Sequence, residues 1–368
     1  MQYVDYGKTG IKVSRFGLGC MRYPSDKTEA IKMVRYALDN GINYLDTAYV
    51  YGDSEIITGE ALKEGYRDKA IVVTKNPTWE INKTADFEMF LDKQLKRLGV
   101  DYIDVYLLHN LSYNNWLKVE QFDGLTFLDK MVQKGKIRHK AFSFHGTLSA
   151  FKNIVDSYDW EMAQIQLNIL DEFEQAGVEG LKYAHEKGMA AVIMEPLRGG
   201  HIINNVPNEV SSLVNSYKEK RSLLEWAFRW LYNMPEADVI LSGTSSLEQL
   251  KKNIEIFNEA KANVMTSEDL KLIKDIREAF EEKKSIGCTG CRYCMPCPKN
   301  VDIPQIFKLY NSATLMSTHW VDKEMYTSNI VPAGLGADQC IECGACMKHC
   351  PQSIRIPEML KVAHKGLL

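Results

Sequence analysis

Nearly all of the cysteines in this chain are crowded into its C-terminal part. The sequence has 368 residues and nine cysteines, and Cys20 is the only cysteine among the first 287 residues. The other eight form two runs with short, regular gaps. These runs are Cys288, Cys291, Cys294 and Cys297, and then Cys340, Cys343, Cys346 and Cys350. Soft thiolates at such gaps are typical ligands of iron–sulfur clusters, because one tight loop can present three sulfurs to the same cube.

Two structural zinc sites are the alternative interpretation of these cysteines. Zinc sites usually combine two cysteine pairs that are separated by a longer spacer. Each run here instead has three closely spaced cysteines and a fourth cysteine directly before a proline. The spacing therefore favours iron–sulfur chemistry, and we expect two [4Fe–4S] clusters.

The fourth cysteine of each run can be assigned in two ways. In the ferredoxin pattern it ligates the cluster of the other run, which would place Cys350 with the first run and Cys297 with the second. The first run departs from this pattern, because two residues separate Cys294 from Cys297 whereas three separate Cys346 from Cys350. Crosswise and separate ligation therefore both stay open. The spacer resembles the all-helical two-cluster ferredoxins in having apolar residues at helical intervals, namely Ile303, Ile306, Phe307 and Tyr310.

Four polar residues far from the cysteines lie at or just beyond the ends of predicted strands. They are Asp46, Tyr51, Lys75 and His109. A phenol with an ordinary pKa of about 10 is too weak an acid to protonate an alkoxide readily at neutral pH. A neighbouring ammonium would lower that pKa, an aspartate would orient the lysine, and a histidine would hydrogen-bond a substrate oxygen. Taken singly, Lys75 could be a solvated strand end and His109 a core residue, but their joint placement favours catalysis.

Eight short apolar runs, rich in β-forming residues, alternate with helical segments over most of the chain. The runs are residues 16–19, 42–46, 70–75, 103–109, 140–143, 163–166, 191–194 and 239–242. Apolar residues at helical spacing follow in segments such as 29–40, 87–98 and 222–232. This alternation predicts an α/β fold, a (β/α)₈ TIM barrel with its active site at the C-terminal ends of the strands. The main alternative, a doubly wound sheet, would usually carry a Gly-x-Gly-x-x-Gly turn, and none follows an early strand.

A charged helix predicted over residues 267–284 leads out of the barrel, and the cysteines begin directly after it. We therefore expect a barrel of residues 1–284 and a mostly helical ferredoxin-like domain of residues 285–368. The net charge of −3 provides no basic field for a phosphate backbone or an anionic lipid, and no apolar run is long enough to cross a bilayer. We expect a cytoplasmic protein whose partners are neither nucleic acid nor membrane.

The sequence resembles the aldo-keto reductase family over roughly residues 1–265. The resemblance is carried by LDTAYVYG at 45–52, VTK at 73–75 and LLH at 107–109, and further by YGKTGIKVS at 6–14 and AFRWL at 227–231. It implies that a carbonyl is reduced by hydride from a nicotinamide, with Tyr51 as the proton donor. It also implies that residues 6–14 form a hairpin over the floor of the barrel.

The same resemblance implies a set of cofactor contacts. They are Gly19, Met21, Asp46, Ser143, Gln164, Met194, Pro196, Leu197, Arg198, Gly199, Ser242, Gly243, Thr244, Ser245, Gln249 and Asn253. Met194 departs from the family, which commonly stacks a tyrosine on the nicotinamide, and a thioether packs there less specifically. The residues from Ser242 to Ser245, with Gln249 and Asn253, correspond to the family's adenosine-phosphate site. This site lacks the basic residues that many NADP-preferring members have there. Hydroxyls and backbone amides at a helix N-terminus can still bind a phosphate, so NADP is favoured over NAD by a small margin.

A nicotinamide and an iron–sulfur cluster do not readily exchange electrons with each other directly. A nicotinamide passes two electrons together whereas a cluster passes one, and a flavin is the usual converter. We expect an oxidoreductase acting on a small carbonyl or alcohol substrate, with the clusters serving electron transfer or coupling to a redox partner such as a ferredoxin or a flavoprotein. The alternative is an iron–sulfur electron-transfer or scaffold protein whose barrel no longer performs nicotinamide-dependent reduction.

Overall fold

The chain forms two compact units. The computed structural model describes residues 1–204, 206–282, 286–288, 290, 292–315 and 319–368. One unit comprises Met1–Gly199 with Leu224–Leu270, and the other comprises Gly200–Leu223 with Lys271–Leu368. The predicted boundary between residues 284 and 285 lies outside the described residues and stays a prediction.

The strands of the first unit close into a parallel barrel. In the described residues they are β1 (Tyr3–Asp5), β2 (Lys12–Ser14), β3 (Phe16–Gly19), β4 (Tyr44–Asp46), β5 (Ile71–Asn76), β6 (Ile103–Leu111), β7 (Ile137–Phe144), β8 (Met162–Gln166), β9 (Ala190–Met194) and β10 (Val239–Ser242). Strands β3 to β10 pair in chain order, and β10 pairs with β3 to close the barrel. Each of the eight predicted strand segments overlaps one barrel strand. The predicted (β/α)₈ barrel is therefore confirmed.

The barrel strands are apolar along most of their length because both of their faces are covered. Side chains from several strands fill the interior, whereas the helices pack on the outside. The interior cluster consists of Tyr6, Val13, Tyr44, Val73, Val105, Leu107, Ala141, Met162, Ala190, Val192, Val239 and Leu241. A packed interior leaves the C-terminal rim as the place where polar side chains can meet a ligand.

The hairpin of β1 and β2 packs against the floor of the barrel. The two strands are antiparallel, and the turn after β1 inserts Tyr6 into the interior, where its hydroxyl lies 2.9 Å from that of Tyr44. Gly7 follows with a φ of +49°, and a Cβ at this position would lie 2.4 Å from the backbone nitrogen of Ala190. Only glycine fits there, because both the conformation and the space exclude a side chain.

Some of the helices that follow the strands begin or end at a capping residue. In the described residues they are α1 (Lys27–Asp39), α2 (Ser54–Ala61), α3 (Thr84–Leu98), α4 (Tyr113–Gln121), α5 (Gly124–Gln133), α6 (Leu148–Asp156), α7 (Gly177–Glu186), α8 (Asn208–Ser216), α9 (Leu223–Asn233), α10 (Leu247–Asn258) and α11 (Ser267–Glu282). Asp26 caps α1 by accepting hydrogen bonds from the backbone N–H groups of Thr28 and Glu29. Gly99, in the left-handed conformation, ends α3.

The cysteine-rich part is helical and has a core of its own. Its helices are α12 (Ile303–Leu315), α13 (His319–Met325) and α14 (Ile356–Leu367), and a π-helical turn covers Tyr326–Ile330. The core consists of Ile286, Val301, Ile303, Ile306, Phe307, Leu309, Ala313, Tyr326, Ala337, Ile356, Leu360, Ala363 and Leu367. Most of the cysteines pack against this core. The apolar helical spacing after residue 300 therefore does produce a helix, as predicted.

Candidate active site and cysteine-lined cavities

The four residues of the predicted tetrad lie at the C-terminal end of the barrel. Asp46 ends β4, Lys75 is the penultimate residue of β5, and His109 lies near the end of β6. Tyr51 lies in the loop between β4 and α2. Because neighbouring strands of the barrel are parallel, these positions share one rim, which is where barrels of this kind build their active sites.

Lys75 and Asp46 form a buried ion pair. The Lys75 Nζ donates to Asp46 Oδ1 at 2.7 Å and to the backbone oxygen of Thr47 at 2.7 Å. Burial acts to lower the pKa of Lys75, but the charges of Asp46 and Tyr51 outweigh it, and the net direction is upward. Lys75 is therefore an ammonium at neutral pH, in a place where its field is little screened by water.

Tyr51 lies beside this ammonium. The Lys75 Nζ is 5.0 Å from the centroid of the Tyr51 ring. Burial raises the pKa of the Tyr51 phenol, and the positive charge of Lys75 opposes the rise. The sequence predicts a lowered pKa for this phenol. The net direction is the opposite, because the cost of desolvating a phenolate exceeds the attraction of one neighbouring ammonium.

His109 completes the group as a neutral imidazole. Its ring lies edge-on to that of Tyr51, with the centroids 6.0 Å apart, and 5.2 Å from the ring of Trp79. Burial and then the charge of Lys75 lower the pKa of His109 to about 3. Its buried Nδ1 has no hydrogen-bond partner among the described residues. A neutral imidazole here can donate a hydrogen bond to an oxygen of a bound molecule.

Several other buried polar atoms on this rim lack a partner within the described part of the chain. They belong to Asp46 (Oδ2), Gln164 (Oε1) and Thr244 (Oγ1). Gln164 lies on β8, and Thr244 is the second residue after β10. Buried polar atoms are normally hydrogen-bonded. A group of such atoms without partners around one rim therefore indicates that a polar ligand forms hydrogen bonds with them. The donor and acceptor atoms on this rim thus fit an elongated polar cofactor such as a nicotinamide dinucleotide.

The remaining predicted cofactor contacts lie on the same rim. They end or follow β3 (Gly19, Met21), lie in β7 (Ser143), end or follow β9 (Met194, Pro196, Leu197, Arg198, Gly199), end or follow β10 (Ser242, Gly243, Ser245) or lie in α10 (Gln249, Asn253). Some of their polar groups already have partners. Ser143 Oγ accepts from the backbone N–H of Asn110 at 2.8 Å, and Gln249 Oε1 accepts from that of Ser245 at 3.0 Å. These bonds fix the loops that would surround the cofactor.

One charged contact on this rim was not predicted from the sequence. Asp171, which is buried, accepts from Asn168 Nδ2 at 2.9 Å and pairs with Arg198 Nη2 at 3.1 Å. Arg198 therefore carries its charge beside a carboxylate rather than alone. Asp171 lies in an irregular segment after β8, so neither periodicity nor a motif marks it. The left-handed conformation of Glu195 and Arg198 shows that the loop after β9 is strained.

The cysteines of the second unit surround two cavities. The first, which we call the Cys297 cavity, is lined by Cys297 together with Cys340, Cys343 and Cys346. Burial raises the pKa of the Cys346 thiol, and the neighbouring thiols of Cys340, Cys297 and Cys343 raise it further. The fourth cysteine of the first run is thus close to the three cysteines of the second run.

The second cavity, which we call the Cys350 cavity, has the reciprocal composition. It is lined by Cys288, Cys294 and Cys350, with Arg292 beside them. Cys291, the remaining predicted ligand, lies outside the described residues. Ile303 lines both cavities, so they are neighbours.

The thiols of the Cys297 cavity fit a multi-iron cluster. Four of them line the cavity, and each can bind a different iron of a cube.

Comparison with known proteins identifies both parts of the chain. The model of the aldo/keto reductase family matches residues 15–278, which is most of the sequence. The chain belongs to the aldo/keto reductase family. A 4Fe-4S dicluster domain follows at residues 287–354. The predicted combination of an aldo-keto reductase barrel and an iron–sulfur domain is therefore confirmed, as is the assignment of the protein as an oxidoreductase.

Individual relatives agree with this assignment. The NADH-specific methylglyoxal reductase of Escherichia coli is 25% identical over 339 residues, covering 76% of this chain and 100% of the relative. The aldo-keto reductase YhdN of Bacillus subtilis is 28% identical over 328 residues, covering 76% of this chain and 94% of the relative. The structure of the aldo-keto reductase AKR11C1 from Bacillus halodurans in its holo form superimposes with a TM-score of 0.64 at 26% identity, covering 75% of this chain and 96% of that one.

These matches limit what kind of ligand the protein handles. An aldo-keto reductase acts on a small-molecule substrate with a nicotinamide cofactor, and a dicluster domain holds iron–sulfur clusters. Among the described residues, we find no helix with the length and apolar character needed to cross a membrane.

Proposed function

We propose that the protein transfers hydride between NADP(H) or NAD(H) and a small carbonyl or alcohol substrate, with Tyr51 as the proton donor. The observation that carries this proposal is the arrangement at the barrel rim. A buried ammonium paired with Asp46 lies 5.0 Å from the Tyr51 ring, and a neutral His109 lies against the same ring. A bound dihydronicotinamide would supply the hydride.

The residues of the rim would bind the substrate oxygen and transfer the proton. His109 donates a hydrogen bond to the substrate oxygen and holds it near the phenol. Tyr51 gives its proton to that oxygen as negative charge develops, and Lys75 stabilises the phenolate that remains. Asp46 keeps Lys75 charged and aimed at the phenol. In the direction of alcohol oxidation, the same phenolate accepts the proton.

The rise in the Tyr51 pKa through burial sets the protonation state of the phenol. The phenol stays protonated at neutral pH and is ready to act as an acid. The ammonium of Lys75 reduces the cost of forming phenolate during the reaction, although it does not reverse the effect of burial.

For the cofactor, we propose that the atoms without partners on the rim are satisfied by the dinucleotide. Gln164 and Ser143 would hold the nicotinamide end, Met194 would pack on its ring, and the segment from Ser242 to Ser245 would hold the adenosine phosphates. The hydroxyls and backbone amides there precede α10, so a phosphate would meet a helix N-terminus. NADP(H) is favoured over NAD(H) by a small margin, and comparing the dissociation constants of NADPH and NADH decides between them.

A small dicarbonyl is a suitable first substrate to test. One relative is named as a methylglyoxal reductase, and Trp79 beside His109 provides an apolar wall next to the polar tetrad. We propose an aldehyde or ketone of this size as the substrate class.

For the second unit, we propose two [4Fe–4S] clusters with crosswise ligation. The support is the composition of the two cavities, because each combines cysteines of one run with the fourth cysteine of the other. The clusters would carry single electrons to or from a redox partner such as a ferredoxin or a flavoprotein.

The proposed proton donor is tested by Tyr51→Phe in anaerobically prepared holoenzyme. General acid catalysis typically contributes about 100- to 10,000-fold, so we expect kcat for carbonyl reduction to fall by at least about 100-fold. The dissociation constant of the nicotinamide should stay unchanged, because the phenyl ring retains the packing. Measurements are the steady-state loss of nicotinamide absorbance and cofactor titration by tryptophan fluorescence.

Tyr49→Phe is the matched control, since it removes a phenol hydroxyl from the same loop. We expect this variant to turn over at nearly the wild-type rate. Full turnover in Tyr51→Phe would remove Tyr51 from the mechanism. Oxidation of reduced clusters by the carbonyl without any nicotinamide would instead favour an iron–sulfur electron-transfer or scaffold protein whose barrel no longer performs nicotinamide-dependent reduction.

A further inference from the structure

The loop that carries Tyr51 is held by two hydrogen bonds from one arginine, which lies outside the catalytic rim. Arg97, on α3, donates from Nη1 to the backbone oxygen of Tyr49 at 2.9 Å and from Nη2 to that of Gly52 at 2.9 Å. These two carbonyls flank Tyr51 in the sequence. The guanidinium also lies 4.9 Å from the centroid of the Tyr49 ring. A planar fork of donors suits this task, because it can fix two acceptors at once.

A buried carboxylate holds the arginine in place. Glu55 Oε2 lies 3.1 Å from Arg97 Nη1, and the Glu55 side chain is fully buried. The other oxygen of Glu55 accepts from Thr74 Oγ1 at 2.7 Å and from Gln94 Nε2 at 2.8 Å. A buried carboxylate with this many hydrogen bonds has a fixed orientation. Its ion pair with Arg97 therefore restricts the orientation of the guanidinium as well.

The same network reaches the strand that carries Lys75. Gln94 Nε2 also donates to the backbone oxygen of Lys75 at 3.1 Å, and Thr74 is the residue before it. One set of connected side chains, in which Glu55, Thr74 and Gln94 are buried and Arg97 is half-buried, therefore contacts the backbone next to Tyr51 and the backbone of Lys75. In the described structure these hydrogen bonds go to carbonyls near the two catalytic groups and not to the phenol or the ammonium.

We propose that the Glu55–Arg97 pair is a positioning device that holds the Tyr51 phenol at its working distance from Lys75. This inference rests on the proposed role of Tyr51 as the proton donor. The pair lies behind the rim and works through the backbone, so it sets the geometry of the proton transfer without taking part in it. Errors of about 1 Å in the placement of reacting groups can cost about 100-fold in rate.

The first test uses Arg97→Met, which removes the donors but keeps an unbranched apolar stem. In the holoenzyme we expect kcat to fall by about 10- to 100-fold with little change in the dissociation constant of the nicotinamide. Lys96→Met removes a positive charge from the next, exposed residue of the same helix and should leave kcat within about twofold of wild type. Arg97→Lys, which keeps the charge and can reach one carbonyl, should recover part of the loss.

A double-mutant cycle separates positioning from general weakening of the fold. If Arg97 acts through Tyr51, adding Arg97→Met to Tyr51→Phe should change the residual rate by less than about threefold. Equal losses in the wild-type and Tyr51→Phe backgrounds would overturn the proposal, because Arg97 would then act by another route.

Hydrogen exchange followed by mass spectrometry gives a result that does not depend on turnover. We expect the amides of residues 48–53 to exchange faster in Arg97→Met while the other barrel segments stay unchanged. Unchanged exchange in that loop, or faster exchange throughout the barrel, would contradict a positioning role. If Arg97→Met does not fold, Arg97→Lys is subjected to the same exchange measurement.

The two proposals can fail separately. Full turnover in Tyr51→Phe would show that Tyr51 is not the proton donor. The exchange measurement would still decide whether the Glu55–Arg97 pair holds the loop.

Discussion

Buried ionisable side chains lie at both ends of the barrel, and their surroundings give them different protonation states. At the C-terminal rim, Lys75 keeps its charge because Asp46 is paired with it, whereas His109 is neutral because burial and the same lysine oppose its protonation. At the floor, burial raises the pKa of Asp238 to about 7, although Arg15 acts to lower it. Lys75 and His109 are therefore each fixed in one protonation state near neutral pH, whereas Asp238 titrates there.

Asp238 should make the stability of the barrel depend on pH. Between pH 5.5 and 7 the folded chain keeps a proton that the unfolded chain has released, because the pKa is higher in the folded state. The contribution of Asp238 to the free energy of unfolding should fall by about 2 kcal/mol over this interval as pH rises. Asp238→Asn removes the titration and keeps an oxygen that can accept from the backbone N–H of Ala191.

The measurement is urea unfolding of wild type and Asp238→Asn at pH 5.5 and pH 7. The variant should gain stability relative to wild type by about 2 kcal/mol between the two values. The comparison with wild type cancels the opposite contribution of His109. Asp68→Asn, at an exposed position, serves as the control, and a difference that does not change with pH would contradict the assignment.

Among the described helices, α12 holds the backbone at the point where the chain enters the cysteine-rich part. Its buried Asn311 donates to the backbone oxygen of Ile286 at 2.6 Å and accepts from the N–H of the same residue at 3.0 Å. Cys288, which lines the Cys350 cavity, follows two residues later. One amide side chain thus holds the backbone that leads directly to a proposed cluster ligand.

Asn311→Ala should loosen this cysteine. Both backbone groups of Ile286 would lose their partners, at a cost of about 1 to 3 kcal/mol for each one that stays unsatisfied. We expect faster loss of the visible cluster absorbance when an iron chelator is added under anaerobic conditions. Ser312→Ala, at the next residue of α12, is the control, and equal rates of cluster loss in the two variants would contradict the role of Asn311.

The sequence predicts elements well where local pattern decides, and poorly where long-range contacts decide. The strand segments at 16–19 and 239–242 match β3 and β10 residue for residue, because apolar runs between turn residues mark them. The start of β7 is three residues earlier than predicted, since its polar residues are tied to neighbours, as in the contact of His139 with Glu161. The positions of the tetrad on the rim could be predicted, because the strand pattern shows where each strand ends. The contacts of Arg97 and Asp171 could not be predicted, because they join residues that only the folded chain brings together.

In the whole molecule, the arrangement of the cysteines is the least local feature. Residues from two runs that are separated by a helical spacer meet in two neighbouring cavities, with Ile303 lining both. Spacing alone leaves the pairing open, because the gap before Cys297 departs from the ferredoxin pattern. The reciprocal composition of the cavities favours crosswise ligation.

Iron content of double variants distinguishes the two pairings. With crosswise ligation, Cys297→Ala with Cys340→Ala removes two ligands of one cluster, so about four of about eight irons should remain. Cys297→Ala with Cys288→Ala should remove a ligand from each cluster and leave little iron. Separate ligation predicts the reverse order for these two proteins. Cys20→Ala is the control, because burial raises the pKa of that thiol to about 12 and keeps it protonated.

The proposed reaction of the barrel is hydride transfer between the nicotinamide and the substrate carbon. It is tested most directly by supplying nicotinamide with deuterium at the transferable C4 position and analysing the alcohol product by mass spectrometry. We expect the deuterium to appear on the carbinol carbon of the product and the clusters to keep their visible absorbance throughout the turnover. A product without deuterium, formed as reduced clusters are oxidised and regain visible absorbance, would show that cluster electrons and solvent protons carry the reaction and would contradict hydride transfer.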